Sequence, residues 1–578
     1  MEPTASAGAK GGAAAFVKSD PSKGAQGGAS GVAEGSHVRW RLDMAAVVVT
    51  LAGLVARVWV AHGTFLNPDE ALHFRLANQP SLALAYRESL TASHPPLLTV
   101  VLYYWRALGT SELWLRMPLI LASVAFCWMF YKWLAKAADE ATGFVGLMFV
   151  AFLPPIVTLS AEIRQYPLLL AFLAGALYFL DWAFAKQSLG GMAAFASCLY
   201  LAMLSHYSAF WFAAALGVYG LFRIFTERVR AGVVAAWVGG QVGGVALARV
   251  LYKTHISKLG LGYAKPVLQG WMSDQFLSRS YFHSGQNPVA FLVGHSFGVF
   301  QYFFGQLAVG DLMGLFFVVG VVLLSRGKDF QGRVAALRLV LLLILPFVIA
   351  CSASLAHLYP YGGTRHVAFL IIPAVGGVSV AIGQFAGERW MRGVVAAGLI
   401  VLACVVFGKP RQPRMERADQ SASNMTAAMN FIAANVNASD VIFTDYQSDL
   451  VLGNYLCRQR PISLDAAPDG FEAFSCEGHH VISGNYKTWA FRAETFVQGW
   501  NRMVGEYGLK PGTVVWVWQA GWDTNVSYEL GKSFAEFRGI NVQSFGKNIR
   551  LFKMTVGQPV PAAGLMALPP EDDGDLRR

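Results

Sequence analysis

Long apolar runs alternate with short polar connections along most of this chain. Eleven of them, at 44–61, 115–134, 142–160, 166–184, 191–204, 207–225, 232–251, 311–325, 335–353, 367–384 and 393–407, are candidate membrane helices, since a bilayer core takes roughly 20 apolar residues per span. With the N-terminus inside, the inside connections hold Arg39 and Arg41, Lys132 and Lys136, Lys186, Arg223 with Arg228 and Arg230, Arg326 with Lys328 and Arg333, and Arg389 with Arg392. Each is basic, as the positive-inside rule asks. The stretch HPPLLTVVLYYWRALG, 94–109, is apolar too. Counting it as a span would put the basic connections outside. It is therefore expected to lie in the outer interface, within a long first outer loop, 62–114.

The pattern changes at both ends. Residues 1–36 are rich in Ala, Gly and Ser, cannot bury enough apolar surface to fold, and are expected to be a disordered inside tail. After 408 polar residues increase. NMTAAMNFIAANV has helical spacing, while DVIFTDY, TVVWVWQAG and NIRLFKMT read as strands. A small α/β domain over 409–556, outside, followed by a flexible tail over 557–578, is the economical expectation. Its first strand runs into TDYQSDLVLGN, which lacks the glycine spacing of a nucleotide-binding loop.

Composition agrees. The 578 residues are 55% hydrophobic and 14% charged, against roughly 25% charged in soluble domains. The fold class is a polytopic α-helical membrane protein of about 11 spans with a C-terminal α/β domain. The net charge of +11 is scattered between apolar runs, a pattern of helix anchoring that excludes a nucleic-acid stripe. Of six cysteines, Cys127, Cys198, Cys351 and Cys404 fall in apolar runs. Cys457 and Cys476 lie in the polar part and can pair if it faces an oxidising compartment.

In this topology the remaining ionisable groups gather on the outer side, where such groups usually mark a site. FLNPDEALHF, 65–74, sets Asp69 beside Glu70 behind a proline. A carboxylate at a membrane edge serves as a general base, or as a helix cap that satisfies free N–H groups. AEIRQYP, 161–167, supplies Glu162, Arg164 and Tyr166, and YPYGGTRHVAF, 359–369, supplies Tyr361, Arg365 and His366. Arginine forks suit phosphate, and a helix N-terminus attracts anions. His94, Arg116, His206 and Tyr207 complete the set. No pair of histidines and acids has metal-ligand spacing on one helix, so neither a divalent metal nor another cofactor is indicated. An acid opposite an anion-binding set, at headgroup level, suits a lipid-linked phosphate.

The order of these motifs resembles the GT-C membrane glycosyltransferases, nearest the protein O-mannosyltransferase type and the bacterial lipid A aminoarabinose transferases. The resemblance covers roughly 40–385: Asp-Glu after the first span, His-Pro-Pro in the same loop, Arg in LWLRMPLILASV, Arg-x-Tyr after the third span and Arg at the start of a late span. The late pair is Arg-His here, where bacterial relatives commonly carry Arg-Tyr. The resemblance implies a catalytic membrane domain over 37–408. It would move a sugar from a polyprenyl-phosphate donor to an extracytoplasmic acceptor, with inversion, among membrane lipids and without nucleic acid. Asp69 would be the base with Glu70 beside it. Arg164, Arg365 and Tyr166 would hold the leaving phosphate. His94, Arg116, Glu162, His206, Tyr207, Tyr361 and His366 would support them. A bacterial inner membrane is the expected location, with the site facing out. The alternatives are a transporter or flippase of a lipid-linked anion, and a sensor whose ligand binds the outer domain.

Overall fold

The computed structural model of the chain describes residues 26–90, 94–257, 277–326, 332–387, 389–408, 415, 417–462, 470–485, 488–534, 537 and 540–557. All eleven expected runs are helical: α1 (Gln26–Ala61), α5 (Glu112–Ala137), the pair α6 (Glu140–Phe152) and α7 (Pro154–Ser160), α8 (Tyr166–Lys186), α9 (Leu189–Ser205), α10 (Ala209–Thr226), α11 (Ala231–Leu251), α13 (Leu307–Arg326), α14 (Arg333–Leu355), α15 (Ile371–Ala386) and α16 (Trp390–Phe407). Among the described residues nine helices are long and apolar enough to span a membrane, and the α6–α7 pair, bent by 61°, makes a tenth. The chain is a multi-pass helical membrane protein. The loop between α1 and α5, expected to face out, carries α2 (Pro68–Ala77), α3 (Leu82–Ser89) and α4 (Leu97–Trp105).

Two expectations change. Helix α1 begins at Gln26, so 26–36 is helical rather than disordered; residues 1–25 lie outside the described residues. The connection between the expected runs 232–251 and 311–325 contains a further helix, α12 (Pro288–Phe304). Asn287 caps it through Val289 and Ala290, and the apolar run broken by His295 and Gln301 falls short of a span, which hid it. The tail expected after 557 lies outside the described residues.

The α6–α7 bend has a local cause. Pro154 and Pro155 bring no N–H, so carbonyls of α6 lose their helical partners. Arg57 of α1, fully buried, donates to Val150 O at 2.8 Å and Ala151 O at 2.8 Å. Inside a bilayer those carbonyls would otherwise go unbonded.

The C-terminal unit is a six-stranded sheet in the order β2-β3-β1-β4-β6-β5: β1 (Val441–Thr444), β2 (Phe471–Cys476), β3 (His479–Gly484), β4 (Val514–Ala520), β5 (Val542–Ser544) and β6 (Ile549–Thr555). Strand β1 runs parallel to β3 and β4, and the outer pairings are antiparallel. The expected strands are β1, β4 and β6. Side chains alternate in β4: Val515 and Val517 join one core with α19 (Ala493–Glu506) and α20 (Val526–Ser533). Trp516 and Trp518 join the other with α17 (Ala422–Asn435) and α18 (Tyr446–Tyr455). Cys457 and Cys476 form a disulfide.

This unit is docked on the loop between α1 and α5. The backbones of Phe65 and Ala422 bond to Gln420 O at 2.9 Å and Gly63 O at 2.8 Å. Leu66 N donates to the Tyr455 hydroxyl at 2.7 Å. Arg75 of α2, fully buried, donates to Arg460 O at 2.7 Å and Asp449 O at 2.7 Å, and pairs with the Asp449 carboxylate at 3.3 Å. Helix α2 is thus held between the bundle and the sheet.

Candidate active site

Asn67 caps α2 by accepting from Glu70 N at 3.0 Å, and the Glu70 carboxylate returns to Asn67 N at 3.1 Å. This reciprocal cap fixes Glu70 inward and leaves Asp69 on an adjacent face, about 100° round the helix. Of the two acids, it is therefore Glu70 that takes the capping role open to them in the sequence. Glu70 is fully buried. It takes Arg116 Nε at 2.7 Å, Arg116 Nη2 at 2.7 Å and Ile163 N at 2.9 Å, besides the Asn67 amide. Arg116 spends its remaining donors on Ala61, Thr64 and Phe65. Glu70, grouped with Asp69 as catalytic in the sequence, has every carboxylate oxygen occupied by protein donors. It pins α2, α5 and the 161–165 turn together.

Asp69 is in different company. Its Oδ2 contacts the Arg164 guanidinium and stands 3.5 Å from Arg365 Nη2. Arg164 lies in a turn closed by its own N–H to Glu162 O at 2.8 Å, just before Pro167 opens α8. Arg365 begins a 3₁₀ turn, Arg365–Leu370, that leads into α15. The Tyr166 hydroxyl is within hydrogen-bonding reach of Arg365. Three connections at the same end of the bundle thus meet on one carboxylate.

Histidines ring this group. His73, one turn after Asp69 on α2, has its ring centroid 5.6 Å from that of His94, and His94 stacks on His206 at 5.5 Å. His206 lies 5.1 Å from Tyr166. His94 Nδ1 meets Gln165 Nε2 at 3.0 Å, and His206 Nδ1 meets the Ser208 hydroxyl at 2.7 Å. Burial first, then the Arg365 charge, holds His73 down at about 4. Burial, then the neighbouring histidines and Arg365, holds His94 well below the usual range. Both are neutral at pH 7, so they add no positive charge beside the arginines. Among the described residues no three His, Cys, Asp or Glu are grouped to hold a metal ion.

Of the supporting residues, His94, His206 and His366 belong to this group, His366 by its place next to Arg365 and its interaction with His94. Glu162 lies within electrostatic reach of Arg116 and Tyr166. Tyr361 does not join: its buried hydroxyl bonds Ser296 of α12 at 2.7 Å. Buried polar atoms of Gln165, Tyr207, Thr364 and His366 have no hydrogen-bond partner within the protein, which leaves donors and acceptors for a polar ligand. His73 was missed in the sequence. Its spacing of four from Asp69 on a capped helix is the signal that would have found it.

No protein-family model matches the chain, and no characterised protein matches it in sequence. Among solved structures it is similar to ArnT from Cupriavidus metallidurans bound to undecaprenyl phosphate, at 11% identity and a TM-score of 0.48, over 89% of this chain and 99% of that one. It is similar to the Archaeoglobus fulgidus oligosaccharyltransferase in complex with Zn and sulfate at 11% identity and a TM-score of 0.48, over 82% of this chain and 67% of that one. For the arabinosyltransferase EmbB from Mycobacterium smegmatis the identity is 16% and the TM-score 0.30, over 64% and 41%.

Proposed function

We propose that the chain is a glycosyltransferase that moves a sugar from a polyprenyl-phosphate donor to a hydroxyl acceptor, at the outer face of a bacterial inner membrane. The observation that carries this is the meeting of Asp69 with both Arg164 and Arg365.

Charge balance explains why a base sits between two cations. The donor phosphodiester carries one negative charge and the Asp69 carboxylate another, against two guanidiniums. The acceptor hydroxyl gives its proton to Asp69, and its oxygen bonds the anomeric carbon on the face opposite the phosphate. The bond from that carbon to the phosphate oxygen breaks, and its electron pair leaves with the phosphate. Afterwards Asp69 is a neutral acid and the phosphate monoester a dianion. The sum over the four groups is zero before and after, so the arginines hold the charge as it moves from carboxylate to phosphate. In this reading Glu70, through Arg116, is a positioning group. The neutral histidines and Gln165 bind polar parts of the donor. No step requires a metal.

The alternative, a transporter of a lipid-linked anion, calls for polar or broken helices near mid-membrane. The α6–α7 break is sealed by Arg57 instead. The test compares lipid extracts from host cells with and without this chain. Accumulation of a polyprenyl-phosphate sugar in its absence, cleared by the wild type and not by Asp69→Asn, is the expected result. Unchanged lipid-linked sugars would overturn the proposal.

A further inference from the structure

The sheet of the C-terminal unit turns its carboxyl edge toward α2. Strand β1 lies between its parallel neighbours β3 and β4. The chain leaves β1 toward β2 and β3 on one side, and β4 toward β5 and β6 on the other. The carboxyl ends of β1 and β4 are therefore a topological switch point, the place where α/β sheets take ligands. Gln447, fully buried, ties three loops together there. Its N donates to Trp489 O at 3.0 Å, its Nε2 to Asp523 O at 2.6 Å, and its Oε1 accepts from Trp522 N at 3.1 Å. A Cβ on Gly521 would stand 2.8 Å from Pro68 Cγ. The edge thus abuts the residue before Asp69.

Eight of the ten α2 residues are buried, and Asp69 and Leu72 are the two that are not. Pro68 and Arg75 face the C-terminal unit. At about 100° per residue, Leu72 falls between that stripe and Asp69. The rings of Tyr446 and Trp489, 5.8 Å apart, pack in the same cluster as Leu72. Trp489 is half-buried. Trp489 thus lies, with Tyr446 and Leu72, in the cluster that reaches the face of α2 next to Asp69.

We propose that Trp489, backed by Tyr446 and Leu72, is the acceptor-side wall of the site, and that the acceptor is a carbohydrate whose ring lies on the indole while one hydroxyl reaches Asp69. The proposal rests on the transferase reading above. A flat aromatic face suits the C–H face of a sugar ring. An extended peptide would look for an unpaired strand edge, and β1, β3 and β4 are each paired on both sides.

The test uses the full chain in lipid nanodiscs, with arrays of bacterial surface oligosaccharides and of peptides as probes. Undecaprenyl phosphate binding is read separately by native mass spectrometry. The wild type is expected to bind oligosaccharides and not peptides. Trp489→Ala should weaken that binding about tenfold while Trp489→Phe stays within about threefold, and both should keep undecaprenyl phosphate. Binding of peptides instead, no oligosaccharide bound, or an alanine variant equal to wild type would overturn the assignment. So would an alanine variant that loses both ligands, because Trp489 would then be structural. A wild type that binds oligosaccharide but not undecaprenyl phosphate would remove the donor reading and leave the acceptor wall standing.

Discussion

Arg365 stands 3.5 Å from Asp69, the first residue opening a late helix and the second lying in the loop between α1 and α5. Nothing local brings them together, so the contact reports the fold of the whole bundle. In the proposed reaction Asp69 is the proton acceptor. Replacing Asp69 by Asn keeps the shape and removes the proton acceptor. Transfer should fall by roughly 10²–10⁴-fold with thermal stability and undecaprenyl phosphate binding retained. Initial rates in nanodiscs, alongside a melting curve, check this.

The neighbouring acid should behave in the opposite way. Arg116→Leu leaves the Glu70 carboxylate buried without its bidentate partner, at a cost of about 3–5 kcal/mol. Loss of folded protein in a thermal melt is the expected outcome, before any question of rate. Glu70→Gln should be milder and should lose more melting temperature than turnover per folded molecule.

This division between the two acids was only half legible in the sequence. NPDE is both a cap and a candidate site, and periodicity cannot tell which acid takes which role until Asn67 is seen to choose Glu70. The spans were legible because each needs one long apolar run. Arg57 was not, because its partners are backbone carbonyls freed by prolines some 90 residues later. Helix α12 was masked by its polar interruptions. Strands β2, β3 and β5 were missed because their apolar positions are few, and β2 lies largely open to solvent. The arginine pair was legible as chemistry through the family resemblance, while Tyr361 sits in the right motif with its hydroxyl turned to Ser296.

The clamp between α2 and the sheet is a further point of test. Arg75→Leu should release the Asp449 carboxylate and the loop at Arg460. Hydrogen exchange in 446–462 should rise, and transfer should fall through the rate constant rather than through donor affinity, because Asp69 moves and the arginines do not. Reduction of Cys457–Cys476 should loosen the same loop, which lies within a separation of 19 residues. Chain entropy puts that at about 3 kcal/mol.

Burial pushes the Asp445 carboxyl up to about 7, although it accepts Ser448 N at 3.0 Å and Phe491 N at 2.9 Å. The unfolded chain releases this proton near 4. Between those values the folded unit binds more protons than the unfolded one, so stability falls as pH rises through the window. Protection of the 441–444 amides, corrected for intrinsic exchange, should be greater at pH 5 than at pH 8. Asp445→Asn should flatten the difference. A protection that rises with pH would contradict the assignment.

The most direct test of the central claim is the binding of undecaprenyl phosphate to the full chain in nanodiscs, titrated for the wild type, Arg164→Ala, Arg365→Ala and Arg164→Ala/Arg365→Ala. Each single change is expected to weaken binding by about tenfold or more, since a charge-assisted bond is worth about 1.5–3 kcal/mol, and the double change to abolish it. Affinity that is the same in all four would show that no phosphate is held where Asp69, Arg164 and Arg365 meet.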